Sequence, residues 1–280
     1  MKNILKKSLS VFLTVLMLLS IAPTSVITYV SAADAIEWSF DGENLIVSGS
    51  GELSSTYTST EEWKNMQDKC VNVLIEGEIK IVGDNAFKDF TALEKVEVTS
   101  QVEAIGKYAF LNCVSLEEII LPDSVTVIDE YAFSDCKGLK TFEFPRNLIK
   151  INRWAFKGCD CFDNKALVLP DSLQKVALGA FSGANITSLT APFAGIGVID
   201  YEDSITSSNV GYIFGNASFK DTYLFRDGVI NEFYYVPNSL KEVNVTKYIY
   251  ENNFQNAKKI EKIVLKDTVE AKFIPYFFAK

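Results

Sequence analysis

The sequence predicts a repeat solenoid, β-rich, with one short strand and one short helical turn per 23-residue coil and an N-terminal β-hairpin lead-in. Three observations carry this. Ala-Phe pairs place Phe87, Phe110, Phe133, Phe156 and Phe181 at intervals of 23, 23, 23 and 25 residues. A fixed period in that range marks a solenoid. The same apolar skeleton precedes each pair, as Leu116, Ile119, Leu121, Val125 and Ile128 before Phe133, and Leu139, Phe142, Phe144, Leu148 and Ile151 before Phe156. A cysteine closes three successive units, as Cys113, Cys136 and Cys159.

Residues 1–32 differ from the rest. Lys2, Lys6 and Lys7 precede an apolar run from Leu9 to Ile21, and Val30-Ser31-Ala32 supplies small residues for cleavage. This three-part layout predicts a secretory signal peptide cut near Ala32. The rival is an uncleaved anchor, for which the run falls short of the about 20 residues that a span requires. Losing residues 1–32, with three lysines and no acids, takes the formal charge from −9 to −12. Such a surface disfavours nucleic acid and anionic membranes. No membrane insertion of the mature chain is expected, and its predicted location is secreted or cell-surface.

Residues 33–69 form the expected β cap. Within them "IEWSFDGENLIVSGSGEL", Ile36 to Leu53, reads as a hairpin turning at Asp41-Gly42,. It would cover the open end of the first coil, since terminal coils need a cap.

The first stretch of repeats spans 70–191. In each unit Ile119 and Leu121, or their equivalents, share one face of a strand. Pro122 ends that strand, because proline cannot donate to a ladder. Val125 and Ile128 lie in a second extended piece. Ile128, Ala132, Phe133 and Cys136 then follow helical spacing, with Asp129 and Asn152 where caps belong. One coil cannot bury its apolar side alone, so neighbours must share a core and strand hydrogen bonds. Two extra residues after Cys159 explain the interval of 25. Residues 192–239 read as an insertion that includes "GYIFG" and "YVPNSLKEV". The repeat resumes over 240–280 with Leu240, Val243, Val245, Ile260, Ile263 and Leu265, then Phe273 and Phe278. It stops at Lys280 inside a coil, which predicts either continuation of the array or pairing with another chain.

The unit "SLEEIILPDSVTVIDEYAFSDC", Ser115 to Cys136, resembles the BspA-type leucine-rich repeat of bacterial surface proteins, whose pattern runs L-x-x-I-x-L-P-x-S-V-x-x-I-G-x-x-A-F-x-x-C. The family glycine is present as Gly83 and Gly106 and replaced by Asp129 and Asn152. The lead-in with Trp63 and the "GYIFG…YVPNSLKEV" insertion are similar to segments found in such proteins. The resemblance implies an exported solenoid used for adhesion or protein binding, and no catalytic residues.

Searching for chemistry gives little. The chain has no histidine, which removes Ser–His and Cys–His nucleophiles and the commonest zinc ligand. Its 36 acids form no constellation that the sequence singles out, so no enzyme activity and no cofactor are expected. "GIG" at Gly195 to Gly197 lacks the strand–loop–helix setting of a nucleotide site. Five cysteines, Cys70, Cys113, Cys136, Cys159 and Cys161, are an odd number for an exported disulfide framework. The 23-residue column reads as buried thiols, against a metal or disulfide ladder. Cys159-Asp160-Cys161 lacks a second pair of metal ligands, and no metal is expected.

Two candidate surfaces remain. Tyr108, Tyr131 and Trp154 precede Ala-Phe in successive coils and should stack, either as packing or as a platform for sugar rings or a partner's apolar anchor. The outward strand positions Lys95, Glu97, Glu118, Ile120, Thr141, Glu143, Val168, Glu242 and Asn244 should line a concave sheet. They are mixed and mildly acidic, so they read as a solvated face or as a site for basic or polar groups. The favoured function is binding or adhesion to an extracellular protein of a host, a matrix or a neighbouring cell. The alternatives are a carbohydrate-binding accessory and a scaffold fragment of a larger surface protein.

Overall fold

A computed structural model describes residues 27–30, 36–194, 210–216, 222–226, 233–250, 254, 257–267 and 269–272. Strand β1 (Ile27–Val30) pairs antiparallel with β2 (Ile36–Phe40), which pairs antiparallel with β3 (Asn44–Leu53). The turn falls at Asp41-Gly42 as predicted. Asp41 Oδ1 accepts from the Asn44 and Glu43 N–H groups at 2.7 and 3.0 Å. Gly42 adopts φ +110°, a region L side chains avoid. Residues 27–30 belong to the expected leader, yet "ITYV" is β-branched and aromatic and completes the edge of β2,. Cutting after Ala32 would remove that strand.

Two short helices follow, α1 (Ser55–Thr58) and α2 (Glu61–Lys64), which the sequence reading lacks. Their N-caps are Ser54 and Thr60, whose hydroxyls accept from the Thr56 and Trp63 N–H groups,.

The coils stack through two parallel ladders that meet in β3. Its first half pairs with β4 (Asn72–Ile75) and its second half with β5 (Glu78–Val82). The first wall continues through β6 (Lys95–Val98) to β8 (Glu118–Ile120). The second continues from β7 (Ala104–Ile105) through β9 (Val127–Ile128) and β10 (Lys150–Ile151) to β12 (Lys175–Val176). The repeat register therefore begins at β3, inside the predicted cap and ahead of residue 70.

From β4 to β8 and from β5 to β10 each register steps by 23 residues, one repeat, as in Lys95↔Glu118 and Val96↔Ile119. The inward members Val96, Ile119, Val125 and Ile128 are buried, with Ala132, Phe133 and Cys136 closing the coil. They form one continuous core from Ile36 to Val245.

The predicted helical turn is a chain of tight turns instead. Ala109 N–H donates to Gly106, and Cys113 N–H to Phe110. Left-handed residues at Tyr108 (φ 58°) and Asn112 (φ 62°) interrupt any helix,. The predicted caps join coils: Asp129 Oδ1 accepts from Asn152 Nδ2 at 2.7 Å and from the Glu130 N–H at 2.7 Å.

The turns themselves form a third ladder. Phe87, Phe110, Phe133 and Phe156 donate their N–H groups to the carbonyls of Ala109, Ala132, Ala155 and Ala180, at 2.7–2.8 Å. The Phe rings stack in file, with centroids 5.1, 5.2, 5.4 and 5.5 Å apart from Phe87 to Phe181. At the front end Trp63 Nε1 donates to Ala86 O at 2.7 Å, and Gln67 Nε2 to Lys88 O at 2.8 Å. Two side chains thus supply the donors that a preceding coil would have provided.

The first wall breaks at Thr141 to Phe144, which form no strand. Thr141 and Glu143, expected on a strand face, are exposed but outside any ladder. Larger rings cause the break. Phe142 and Phe144 replace Val96 and Val98, and pack within 4.7 and 5.6 Å of Phe156. The two extra residues are taken up in a three-residue 3-10 turn, Asp160–Phe162, whose Phe162 stacks on Phe144 at 6.1 Å. Lys165 Nζ bridges the region, donating to the Lys140 and Cys161 carbonyls.

A second parallel sheet then runs from β11 (Ala166–Val168) through β13 (Ser188–Phe193) to β16 (Glu242–Tyr250), which pairs with β17 (Lys262–Leu265) and β18 (Glu270–Lys272). Ile263 and Leu265, predicted core residues, are 45% and 46% exposed; Phe273 and Phe278 lie outside the described residues. The predicted insertion is partly a coil. Phe181 N–H donates to Ile213 O and Gly179 N–H to Tyr212 O, so Tyr212-Ile213-Phe214 occupies the place of Trp154-Ala155-Phe156. The added matter is a hairpin, β14 (Thr222–Arg226) with β15 (Phe233–Pro237), together with residues outside the described set.

Phe133→Ala should lower stability by about 3–5 kcal/mol, read as a fall in the denaturant midpoint; an unchanged midpoint contradicts the shared core. Trp63→Phe keeps an aromatic ring but removes the donor to Ala86 and part of the buried indole. It should cost at least about 1–3 kcal/mol, the penalty of an unpaired buried carbonyl to which the lost packing adds, in the same measurement.

Candidate functional site

The strand face is set by alternation. On β4, β6 and β8 the inward residues are Val73, Val96 and Ile119, so Leu74, Glu97 and Ile120 point outward beside Asn72, Lys95 and Glu118. These side chains surround a shallow hollow of about 40 Å³. Ile120 is 38% exposed, and Glu97 stands opposite it in register. Lys95 Nζ lies 3.7 Å from Glu118 Oε2. The structure therefore gathers four of the predicted residues, Lys95, Glu97, Glu118 and Ile120, around an apolar centre with charge at its edge. It leaves Thr141 and Glu143 in the broken segment. Glu242 and Asn244 sit on β16, where Glu242 pairs with Lys262 at 3.1 Å and Asn244 donates to Thr190 Oγ1 at 3.3 Å. Val168 on β11 is 59% exposed. The sequence reading omits Leu74, although alternation with Val73 and Ile75 places it outward.

Tyr108, Tyr131 and Trp154 do stack. Their centroids lie 5.2 and 5.0 Å apart, with ring planes 15° and 27° from parallel. All three hold left-handed backbone, φ 58°, 55° and 53°, which is unusual for bulky residues. At Gly179 (φ +66°) an added Cβ would lie 2.6 Å from Trp154 Nε1, so the glycine is required and the indole closes the column there. The ring faces are turned on one another. A sugar ring, which needs an open face, would meet chiefly ring edges.

The cysteine column is a set of buried thiols. Cys113, Cys136 and Cys159 donate to the carbonyls of Phe87, Phe110 and Phe133 at 3.1, 3.0 and 3.0 Å. All five cysteines are free and buried. Burial, with Asp41 adding a smaller share, pushes the Cys70 thiol up to about 12. Burial likewise pushes Cys161 up to about 12, and raises Cys136 and Cys159 well above their ordinary value. No cluster of three metal-binding side chains occurs among the described residues.

The profile of the BspA type Leucine rich repeat region matches residues 59–187 and 160–279 in six copies. The chain belongs to the BspA-type leucine-rich repeat family. The break at Thr141 and the disguised coil at Tyr212 both fall within the matched residues. Among solved structures, the chain is similar to a leucine-rich repeat protein of T. pallidum at 16% identity, covering 89% of this chain and 85% of that one, with a TM-score of 0.43. It is similar to a leucine-rich repeat protein from Bacteroides ovatus ATCC 8483 at 19% identity, covering 92% and 79%, with a TM-score of 0.42. It is also similar to a leucine rich cell surface protein from Faecalibacterium prausnitzii A2-165 at 18% identity, covering 89% and 78%, with a TM-score of 0.46. No curated protein matches. No helix among the described residues is long and apolar enough to cross a membrane.

The cysteines of this leucine-rich repeat should resist a thiol reagent such as Ellman's at pH 8, since thiolate is the reactive form. Labelling should appear only with global unfolding in denaturant. Fast labelling of the native protein would show the column to be open. Between pH 9 and 12 the folded state keeps the protons of Cys70 and Cys161 while the unfolded state loses them. That stabilisation is complete below about pH 9 and falls as pH rises towards 12.

Proposed function

We propose that this leucine-rich repeat is an exported, surface-displayed binding module that engages an extracellular protein through its strand face. The observation that carries the reading is the aliphatic centre made by half-buried Leu74 and exposed Ile120, edged by Glu97 and the Lys95–Glu118 pair. An apolar centre with a polar rim is how protein interfaces are built. The rim favours a partner with basic or polar groups around an aliphatic anchor. The lysine-bearing, apolar leader-like N-terminus supports export, and family membership supports a scaffold role over catalysis. The acidic balance of the chain argues against nucleic acid as the partner.

Affinity capture from surface proteins of the natural surroundings tests this. Leu74→Glu with Ile120→Glu should cut recovery of the captured protein at least tenfold. Ile149→Glu, an exposed aliphatic elsewhere on the coil, should leave it unchanged. Equal recovery with both variants sinks the assignment of this face.

A further inference from the structure

Beside the second wall lies a different hollow, of about 280 Å³, lined by Lys107, Asp129, Glu130, Lys150, Arg153 and Lys175. The chain carries a formal charge of −9, yet among the described lining residues four cations accompany two acids. Lys107 is engaged by Glu130 at 3.5 Å. Lys150 and Arg153 form no ion pair among the described residues. Lys150 also stands directly opposite Lys175 in the β10–β12 register. At the equivalent position the earlier coils carry Ile81, Ala104 and Val127, so the paired lysines are a departure from the repeat. Lys150 and Arg153, both lining the hollow without an ion pair among the described residues, can therefore meet an anion there.

The acids narrow the ligand. Asp129 uses Oδ1 twice, for Asn152 Nδ2 and for the Glu130 N–H, and keeps Oδ2 as an acceptor. A group that only accepts hydrogen bonds would be repelled by Asp129 and Glu130. A ligand with both an anionic group and hydroxyls suits the whole set. Its carboxylate or sulfate meets the Arg153 guanidinium, which binds planar oxyanions in a fork, and the ammonium of Lys150. Its hydroxyls donate to Asp129 and Glu130. The volume approaches the about 300 Å³ at the small end of ligand pockets, enough for about one ring of a longer chain.

We propose that this hollow binds an acidic saccharide, one charged ring at a time, separately from the strand face. Titration calorimetry on the full chain at low salt tests it, with tetrasaccharides of hyaluronan, chondroitin sulfate and polygalacturonate, neutral chitotetraose, and a hexaglutamate peptide. At least one acidic tetrasaccharide should bind, at least tenfold tighter than chitotetraose and hexaglutamate, and more weakly as salt rises. Lys150→Gln with Arg153→Gln should weaken it at least tenfold with the melting temperature unchanged, whereas Leu74→Glu with Ile120→Glu should not. Absence of binding by all three acidic sugars, equal binding of the neutral one, or equal binding of the peptide overturns the proposal.

Discussion

The structure depends on donors in each turn finding acceptors in the next coil. An Ala-Phe turn buried on the axis cannot leave its backbone N–H groups unpaired, since each would cost about 1–3 kcal/mol. The Phe87, Phe110 and Phe133 N–H groups reach the alanine carbonyl one coil on, and this works only if every coil presents that carbonyl at the same height. The period of 23 residues follows from this. So does the choice of alanine, whose small side chain lets the turns approach, and of cysteine, whose S–H reaches the phenylalanine carbonyl of the coil before. The left-handed residues that bend each turn, Tyr108 and Asn112 among them, are strained locally and held by these inter-coil bonds.

The same constraint explains the ends and the exceptions. Ahead of the first full coil, Trp63 and Gln67 donate from side chains where a backbone would have done so. Past Phe181, Tyr212-Ile213-Phe214 keeps the turn ladder even though the spacing from one Phe to the next has grown. Where the two-residue insertion meets Phe142 and Phe144, the turn ladder survives and the first wall yields. Turn groups are buried and must be paired within the protein, while strand edges at the surface can turn to water. What lies outside the interior is then free to vary. The strand face and the charged hollow beside the second wall use such positions, and they differ in character, one aliphatic and acidic, the other enriched in cations.

Much of this was legible in the sequence because the interior is periodic. The recurring Ala-Phe pairs gave the architecture and the buried thiols, and alternation around Val96 and Ile119 gave the outward residues. Other features were hidden because they depend on pairs distant in sequence. Ile213 in place of Ala disguised a coil. Trp63 was seen as part of a lead-in, but its indole bond to Ala86 is a tertiary fact. The break at Thr141 to Phe144 comes from ring volumes that a strand pattern does not weigh. The aromatic column is legible in the spacing, whereas the closing of its faces on one another is a property of the folded chain. The hollow at Lys150 and Arg153 was missed because it joins outward residues of coils 23–25 positions apart, where repeat logic attends to what is shared and overlooks what departs.

The central claim is that the turns are bonded coil to coil through one interior, and amide hydrogen exchange reads it directly. The N–H groups of Phe110, Phe133 and Phe156 should be among the slowest in the chain and should exchange together, with a common opening free energy close to that of global unfolding. Fast exchange at these three amides, or rates that differ widely among them, would contradict the account.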